Sequence, residues 1–310
     1  MITLIQMEYI VAVDTYRHFV TASEKCFVTQ PTLSMQIKKL EEELDVIVFD
    51  RTKQPIVPTE IGEKIIEQAR ITLAESKRIN ELVEEHNNTV SGELIVGVIP
   101  SLAPYLLPLF IGRFSKSYPG VRLKVVELLT DDIIEHLRKD KVDLGILVTP
   151  LYEKGIIEIP LFFEEMVLFV NDGHPIANKK DIRTSELENN DLWMLSNGHC
   201  FRSQVINLCK LKSEPADSNQ FVYESGSLET LKKLVLKEGG YTLLPELAIG
   251  SPMKDASIKR FKSKPLREVS FAYTRNYSKR RLMEALSEEI KASIPKAMLE
   301  GDVSKIVEWR

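Results

Sequence analysis

Nowhere in the 310 residues do eighteen apolar side chains run together, so no segment is expected to cross a membrane as a helix. The first twenty residues contain Glu8, Asp14 and Arg17, which do not fit a secretory signal, and the expected location is the cytoplasm. Cysteine is scarce. Three residues, an odd number with Cys26 isolated, do not make the disulfide framework of a secreted domain. The five histidines (His18, His86, His136, His174 and His199) are scattered without metal-ligand spacing. No glycine-rich phosphate loop or Ser/His/Asp order stands out, so neither a cofactor, a metal nor an enzyme is expected. Excess positive charge is also missing. The net charge is −4, and residues 1–58 hold six Lys/Arg against eight Asp/Glu. Nonspecific coating of nucleic acid is thereby disfavoured, and any DNA binding must come from local placement of charge.

What is present is ordinary globular composition, 44% hydrophobic and 28% charged, in a chain long enough for two or three domains. Residues 4–16 place Leu4, Met7, Tyr9, Ile10 and Val13 mostly on one helical side. A short helix fits Phe19 to Lys25, with Val20, Ala22 and Cys26 expected to face inward. A third spans Gln30 to Leu44: Thr29 can cap it, Pro31 is allowed in its first turn, and Leu33, Ile37, Leu40 and Leu44 repeat at helical spacing. Its other face carries Pro31, Thr32, Ser34, Gln36 and Lys39, with Gln30 at the leading end. Such short polar groups suit base edges and phosphates, although on a helix taken alone they are usually a solvated face. Phe49 to Thr59 reads as a two-stranded wing with Arg51 and Lys53 near its tip.

From Thr59 to Glu85 there is no proline, and the only glycine is Gly62. Ile61, Ile65, Ala69, Leu73, Ile79 and Leu82 mark an apolar stripe on a helix of about 40 Å, which needs either its own domain or a second copy as partner. Asn87 to Gly92 breaks the helix. Beyond it strands and helices alternate. Strands are expected at Leu94–Ile99, Leu123–Val126, Leu144–Val148, Met166–Val170, Leu192–Leu195, Tyr241–Leu244 and Val269–Tyr273. Helices are expected at Leu107–Ser117, Asp131–Lys139, Leu228–Lys237 and Ser278–Ser293. The class is α/β behind an N-terminal all-α winged helix-turn-helix module.

Two of the three cysteines fall in one stretch, Gly198-His199-Cys200-Phe201-Arg202-Ser203-Gln204-Val205-Ile206-Asn207-Leu208-Cys209. Phe201, Val205 and Leu208 share a helical face, and Asn197 and Gly198 are start signals. Cys200 then lies in the first turn, where the helix end favours a thiolate and His199 and Arg202 add positive charge. Cys209 is about 13 Å away on a continuous helix, whereas a disulfide needs Cα atoms within about 7 Å. The thiols can pair only if the segment unwinds. Equally, free cysteines commonly serve as small buried hydrophobes.

Resemblance adds to this reading. Ala22-x3-Cys26-x2-Thr29-Gln30-Pro31-Thr32-Leu33-Ser34-x-Gln36-Ile37-x2-Leu40-Glu41, followed by Phe49-x-Arg51 and Pro58-Thr59-x2-Gly62, resembles the winged helix-turn-helix of LysR-type regulators. Met35 stands where many relatives have arginine, and Cys26 where they have an apolar residue, so Cys26 is assigned to the core. Gly-His-Cys-x-Arg-x6-Cys from Gly198 to Cys209 resembles the sensing segment of the bacterial peroxide-responsive regulators within that family.

The resemblance implies a DNA-binding domain over 1–58, a dimerising linker helix and hinge over 59–90, and a redox-sensing domain over 91–310. The last would consist of two lobes shaped like periplasmic binding proteins, 91–161 plus 269–310 and 162–268. It further implies hydrogen peroxide as the signal, Cys200 as the oxidised thiol and Cys209 as its disulfide partner. Ser101, Thr130, His199 and Arg202 are the candidates to support the peroxide site. Ser101 replaces a threonine and keeps the hydroxyl, while Ser203 replaces an aspartate. An arginine expected directly after the strand ending at Tyr273 is displaced to Arg275, which is the candidate to fill its place. Implied partners are double-stranded DNA, further copies of the chain in a homodimer or homotetramer, RNA polymerase at activated genes, and cytoplasmic thiol reductants. The alternatives are a regulator with a small-molecule effector in the cleft between the lobes and, less compatible with the winged helix, a thiol peroxidase.

Overall fold

A computed structural model describes residues 1–86, 89–180, 182–187, 191–211, 226–250 and 258–310. The chain forms two compact units. The first comprises Met1–Ser91 with Arg138–Lys141 and Thr274–Arg280, and the second comprises Gly92–Leu137, Val142–Tyr273 and Arg281–Arg310.

The first unit opens with α1 (Leu4–Tyr16), started by a reciprocal cap in which Thr3 Oγ1 accepts from Gln6 N and Gln6 Oε1 accepts from Thr3 N. Helix α2 (Phe19–Lys25) and helix α3 (Gln30–Leu44) follow with the expected bounds. Thr29 Oγ1 accepts from Thr32 N, Pro31 sits in the first turn, and Asp45 ends α3 in the left-handed region. Val13, Ala22, Leu33, Ile37 and Leu40 are fully buried. Val20 departs from expectation at 47% exposure. Two residues apart on a helix lie on nearly opposite sides, so Val20 and Ala22 cannot both face the core. Cys26 is half-buried against this core.

Strands β1 (Phe49–Asp50) and β2 (Val57–Pro58) pair antiparallel as the wing. Helix α4 (Glu60–His86) starts directly behind it, with Gly62 N donating to Thr59 Oγ1 at 3.0 Å. A Cβ on Gly62 would lie 2.1 Å from the Val48 carbonyl oxygen, so the close approach of helix and wing requires glycine. Ile66, Ala69 and Leu73 of α4 are buried, whereas Ile79, Leu82 and Val83 are 63%, 63% and 56% exposed.

The second unit begins with β3 (Gly92–Val98), α5 (Ala103–Ser117), β4 (Val121–Glu127), α6 (Thr130–Arg138) and β5 (Leu144–Thr149). Strands β4 and β5 both pair parallel with β3, the arrangement that helical crossovers permit. Helix α6 packs closely on this sheet: a Cβ on Gly145 of β5 would come within 2.7 Å of Ile133 Cγ2. Then come β6 (Ile156–Val170), α7 (Cys200–Cys209), α8 (Leu228–Glu238), β7 (Tyr241–Pro245), β8 (Ile258–Lys259), β9 (Leu266–Thr274) and α9 (Arg280–Ser293). The strand order is β4-β3-β5-β9-β6-β7, with β8 beside β6. Strands β7, β8 and β9 are antiparallel to their partners β6, β6 and β5.

Strand β6 starts ten residues before the expected Met166, because Pro160, Glu164 and Glu165 interrupt its apolar pattern. The expected strand at Leu192–Leu195 is reduced to isolated bridge residues, Leu192, which pairs with Tyr241, and Leu195. Trp193 continues the contact through its backbone N, donating to Tyr241 O at 2.8 Å, and its Nε1, donating to Gly239 O at 2.9 Å. Among the described residues, no helix is long and apolar enough to cross a membrane.

Candidate functional site

In the first unit, α3 turns its apolar face to the core and leaves Gln30, Pro31, Thr32, Ser34, Gln36 and Lys39 partly or fully exposed. The Thr32 hydroxyl is engaged locally, 2.8 Å from that of Thr29. Arg51 and Lys53 sit on the wing, 40% and 65% exposed. Glu41 ties the two elements together. Its Oε1 accepts from Val48 N at 2.9 Å and Phe49 N at 3.3 Å, while its Oε2 accepts from Arg51 Nη2 at 2.8 Å. Met35, 62% exposed, adds an apolar group to the same helix.

In the second unit, Gly198 takes a positive φ of +90° and delivers the chain to His199, which precedes the first turn of α7. Cys200 is the first helical residue and is only 4% exposed. Burial raises its thiol pKa above the ordinary value. Against that act the Thr130 hydroxyl, the charge of Arg267 and the backbone N–H groups of Phe201 and Cys200 at the helix start. Helix position thus favours the thiolate as expected, but desolvation wins. Cys209, also buried, has no such support and is pushed up to about 12. Both thiols are free, at the two ends of one unbroken helix. The buried face of that helix is Phe201, Val205 and Cys209, with Leu208 only partly covered.

Thr130 opens α6 and is 2% exposed. Its Oγ1 lies against the Cys200 sulfur without completing a hydrogen bond of ordinary geometry to any described group. Ser101, 3% exposed, uses its hydroxyl oxygen to accept from Arg267 Nη1 at 3.0 Å, and its carbonyl accepts from Nη2 at 3.2 Å. Its role is therefore to hold the guanidinium. Arg202 Nη1 donates to Leu195 O at 2.9 Å, which braces the loop before α7. His199 is half-buried, and burial lowers its pKa, so the imidazole is neutral near pH 7. Burial works against the positive charge expected from His199.

The cation beside Cys200 belongs to Arg267. Its Nε and Nη2 lie 2.6 Å from Glu164 Oε1, both side chains are fully buried, and the guanidinium stacks 5.4 Å from the Phe201 ring centre. Glu164 is fixed in turn by Leu247 N, 3.1 Å from its Oε2. Arg275 is exposed in the turn after β9 and belongs to the first compact unit. Sequence reasoning placed the arginine there and missed Arg267 and Glu164. The available signal was a charged residue inside each of two strands, since fully buried arginine and glutamate occur almost only as pairs. Among the described residues no group of histidine, cysteine, aspartate and glutamate is arranged to hold a metal ion.

Residues 4–63 match the lysR-family bacterial regulatory helix-turn-helix protein, and residues 87–295 match the LysR substrate-binding domain. The hydrogen peroxide-inducible genes activator of Haemophilus influenzae is 33% identical over 92% of this chain and 96% of its own. The DNA-binding transcriptional dual regulator OxyR of Escherichia coli is 35% identical, over 92% and 94% respectively. Full-length OxyR of Pseudomonas aeruginosa, solved with a cysteine replaced by aspartate, superposes with a TM-score of 0.78 at 32% identity, covering 95% of this chain and 99% of that one. A cysteine-to-serine variant of Corynebacterium glutamicum OxyR, solved with hydrogen peroxide bound, gives 0.61 at 28% identity, covering 94% and 92%. The chain therefore belongs to the LysR-type family of DNA-binding transcription regulators, in the branch of the OxyR proteins.

Proposed function

We propose that this regulator responds to hydrogen peroxide through Cys200 and stores the signal as a Cys200–Cys209 disulfide. The observation that carries the reading is a buried cysteine at a helix start, flanked by the charge of Arg267 and by a Thr130 hydroxyl that has no other partner among the described residues. The Cys200 sulfur attacks one peroxide oxygen, the O–O bond breaks, and the other oxygen leaves as water with the thiol proton, giving a sulfenic acid. The Thr130 Oγ1 is placed to donate to an oxygen arriving at that sulfur, while Ser101 and Glu164 keep Arg267 aimed at the developing charge. Cys209 then displaces hydroxide from the sulfenic sulfur, and a second water forms as the disulfide closes. Cytoplasmic thiol reductants reverse the bond by exchange.

In this reading α3 reads double-stranded DNA through Gln30, Pro31, Thr32, Ser34, Gln36 and Lys39, with Arg51 and Lys53 on the flanking backbone. The chain works as a homodimer or homotetramer joined through α4, and contacts RNA polymerase at activated genes. The lobes 91–161 plus 269–310 and 162–268 belong to the same proposal. Support for them comes from two sets of strands within the sheet, β3, β4, β5 and β9 on one side and β6, β7 and β8 on the other, which meet where β9 neighbours β6.

Thiol mapping by mass spectrometry after a stoichiometric dose of peroxide tests the proposal. The wild type should yield an intramolecular Cys200–Cys209 bond, Cys200→Ser neither oxidation product, and Cys209→Ser a trappable sulfenic acid at Cys200. Cys209 oxidised beside a reduced Cys200 would overturn the assignment. A DNA footprint that ignores peroxide but shifts with a small organic anion would favour the effector-binding alternative.

A further inference from the structure

We infer that Gln204 and Asn207 are positioning residues, through which the strap of residues 306–310 holds α7 helical and sets the redox potential of the thiol pair. The inference rests on the Cys200–Cys209 disulfide reading above. The strap follows a short 3-10 turn, Val303–Lys305, and its backbone is fastened to the start of β9. Val307 N donates to Leu266 O at 2.8 Å, and Ile306 forms a parallel bridge with Leu266. Val307 packs on the core that also receives Phe201, Val205 and Cys209.

From this anchorage two strap carbonyls face the sensing helix. Gln204, fully buried one turn after Cys200, donates from Nε2 to Val307 O at 2.7 Å. Asn207, a turn further on, donates from Nδ2 to Glu308 O at 2.9 Å. Gln204 Oε1 has no partner among the described residues, and the bond to Val307 compensates burial of that amide. Beyond them, Arg310 Nη1 donates to Leu151 O at 3.1 Å, and Nη2 pairs with Asp131 Oδ1 at 2.7 Å. The strap therefore touches the middle of α7, the residue before Arg267 and the residue after Thr130.

A continuous α7 separates the cysteine Cα atoms by about 13 Å, so closing the disulfide must unwind residues between them. Gln204 and Asn207 lie inside that interval, and both strap bonds depend on helical spacing. They stabilise the dithiol form and not the disulfide, which makes the couple more oxidising than it would be without them.

The test is an equilibration of the full-length protein in glutathione buffers. There the two thiols lose two electrons and two protons to glutathione disulfide, which becomes two glutathiones. Asn207→Ala, Gln204→Leu and Arg310→Ala should each favour the disulfide by about tenfold, a shift of about 30 mV to more negative potential for a two-electron couple. Amide exchange over residues 200–209 of the reduced variants should quicken. Asn207 and Arg310 are exposed, so those variants keep the test valid if the buried Gln204→Leu fails to fold. A purely structural strap would lower the melting temperature of both redox forms equally and leave the potential unmoved, and that result overturns the inference. A wild type that forms no Cys200–Cys209 bond in oxidising buffer defeats the underlying reading, visibly and before any variant is made.

Discussion

At the scale of single residues, burial and helix position act on Cys200 in opposite senses. The helix start, Thr130 and Arg267 draw its proton off, and desolvation holds it on more strongly. The resting sulfur is thus a thiol, and only its thiolate fraction reacts. That fraction grows as pH rises toward a raised pKa, so the second-order rate with peroxide should climb about tenfold per unit between pH 6 and 8. Thr130→Val removes a group that favours the thiolate and should lower the rate at every pH in that range. Stopped-flow measurement decides the matter: a rate already level below pH 7 would mean a thiol pKa below the ordinary value. The sequence announced that Cys200 opens a helix, since glycine, histidine and a helical apolar spacing are local signals. It was silent on depth and on Arg267, because both arise from strands more than thirty residues away in either direction.

At the scale of elements, legibility followed locality. Helices α1, α2 and α3 begin and end as expected because caps and period-3.6 patterns are written within a dozen residues. Strand β6 was half hidden, since Glu164 and Glu165 look like turn residues until Arg267 and Arg260 meet them. Helix α3 gives this scale its prediction. Gln30 stands at the leading end of the exposed face, and a bidentate amide contact to a base is worth about 1–3 kcal/mol of discrimination. Gln30→Ala should weaken binding to a specific DNA site by at least tenfold, with binding to random duplex unchanged. Quantitative footprinting against competitor DNA reads both, and an equal loss on the two would assign Gln30 to the backbone.

At the scale of the whole molecule, the apolar side chains of α4 divide in two. Ile66 and Ala69 pack in the core of the first unit and Leu73 is buried, whereas Ile79, Leu82 and Val83 share one helical face and stay more than half exposed. An isolated exposed leucine is ordinary, but three neighbours at this spacing form a patch. Covering each large side chain is worth about 1.5–3 kcal/mol. Leu82→Ser together with Val83→Ser should therefore raise the dimer dissociation constant by at least a hundredfold while leaving the helix in place. Sedimentation velocity over a concentration series, with circular dichroism as control, measures the outcome. An unchanged dimer would locate the association surface elsewhere.

Gly62 and Glu41 have a mechanical consequence. The glycine seats α4 directly against the wing, and the glutamate bonds the wing back to α3, so the three elements have almost no free play between them. The contacts join them into one arm, with α3 and the wing at one end of α4. A tilt of about 5° about the far end of an arm about 40 Å long carries α3 through about 3.5 Å, close to the axial rise between successive phosphates of one DNA strand. Backlash at the wing joint would absorb so small a stroke, and a residue larger than glycine at position 62 would introduce it.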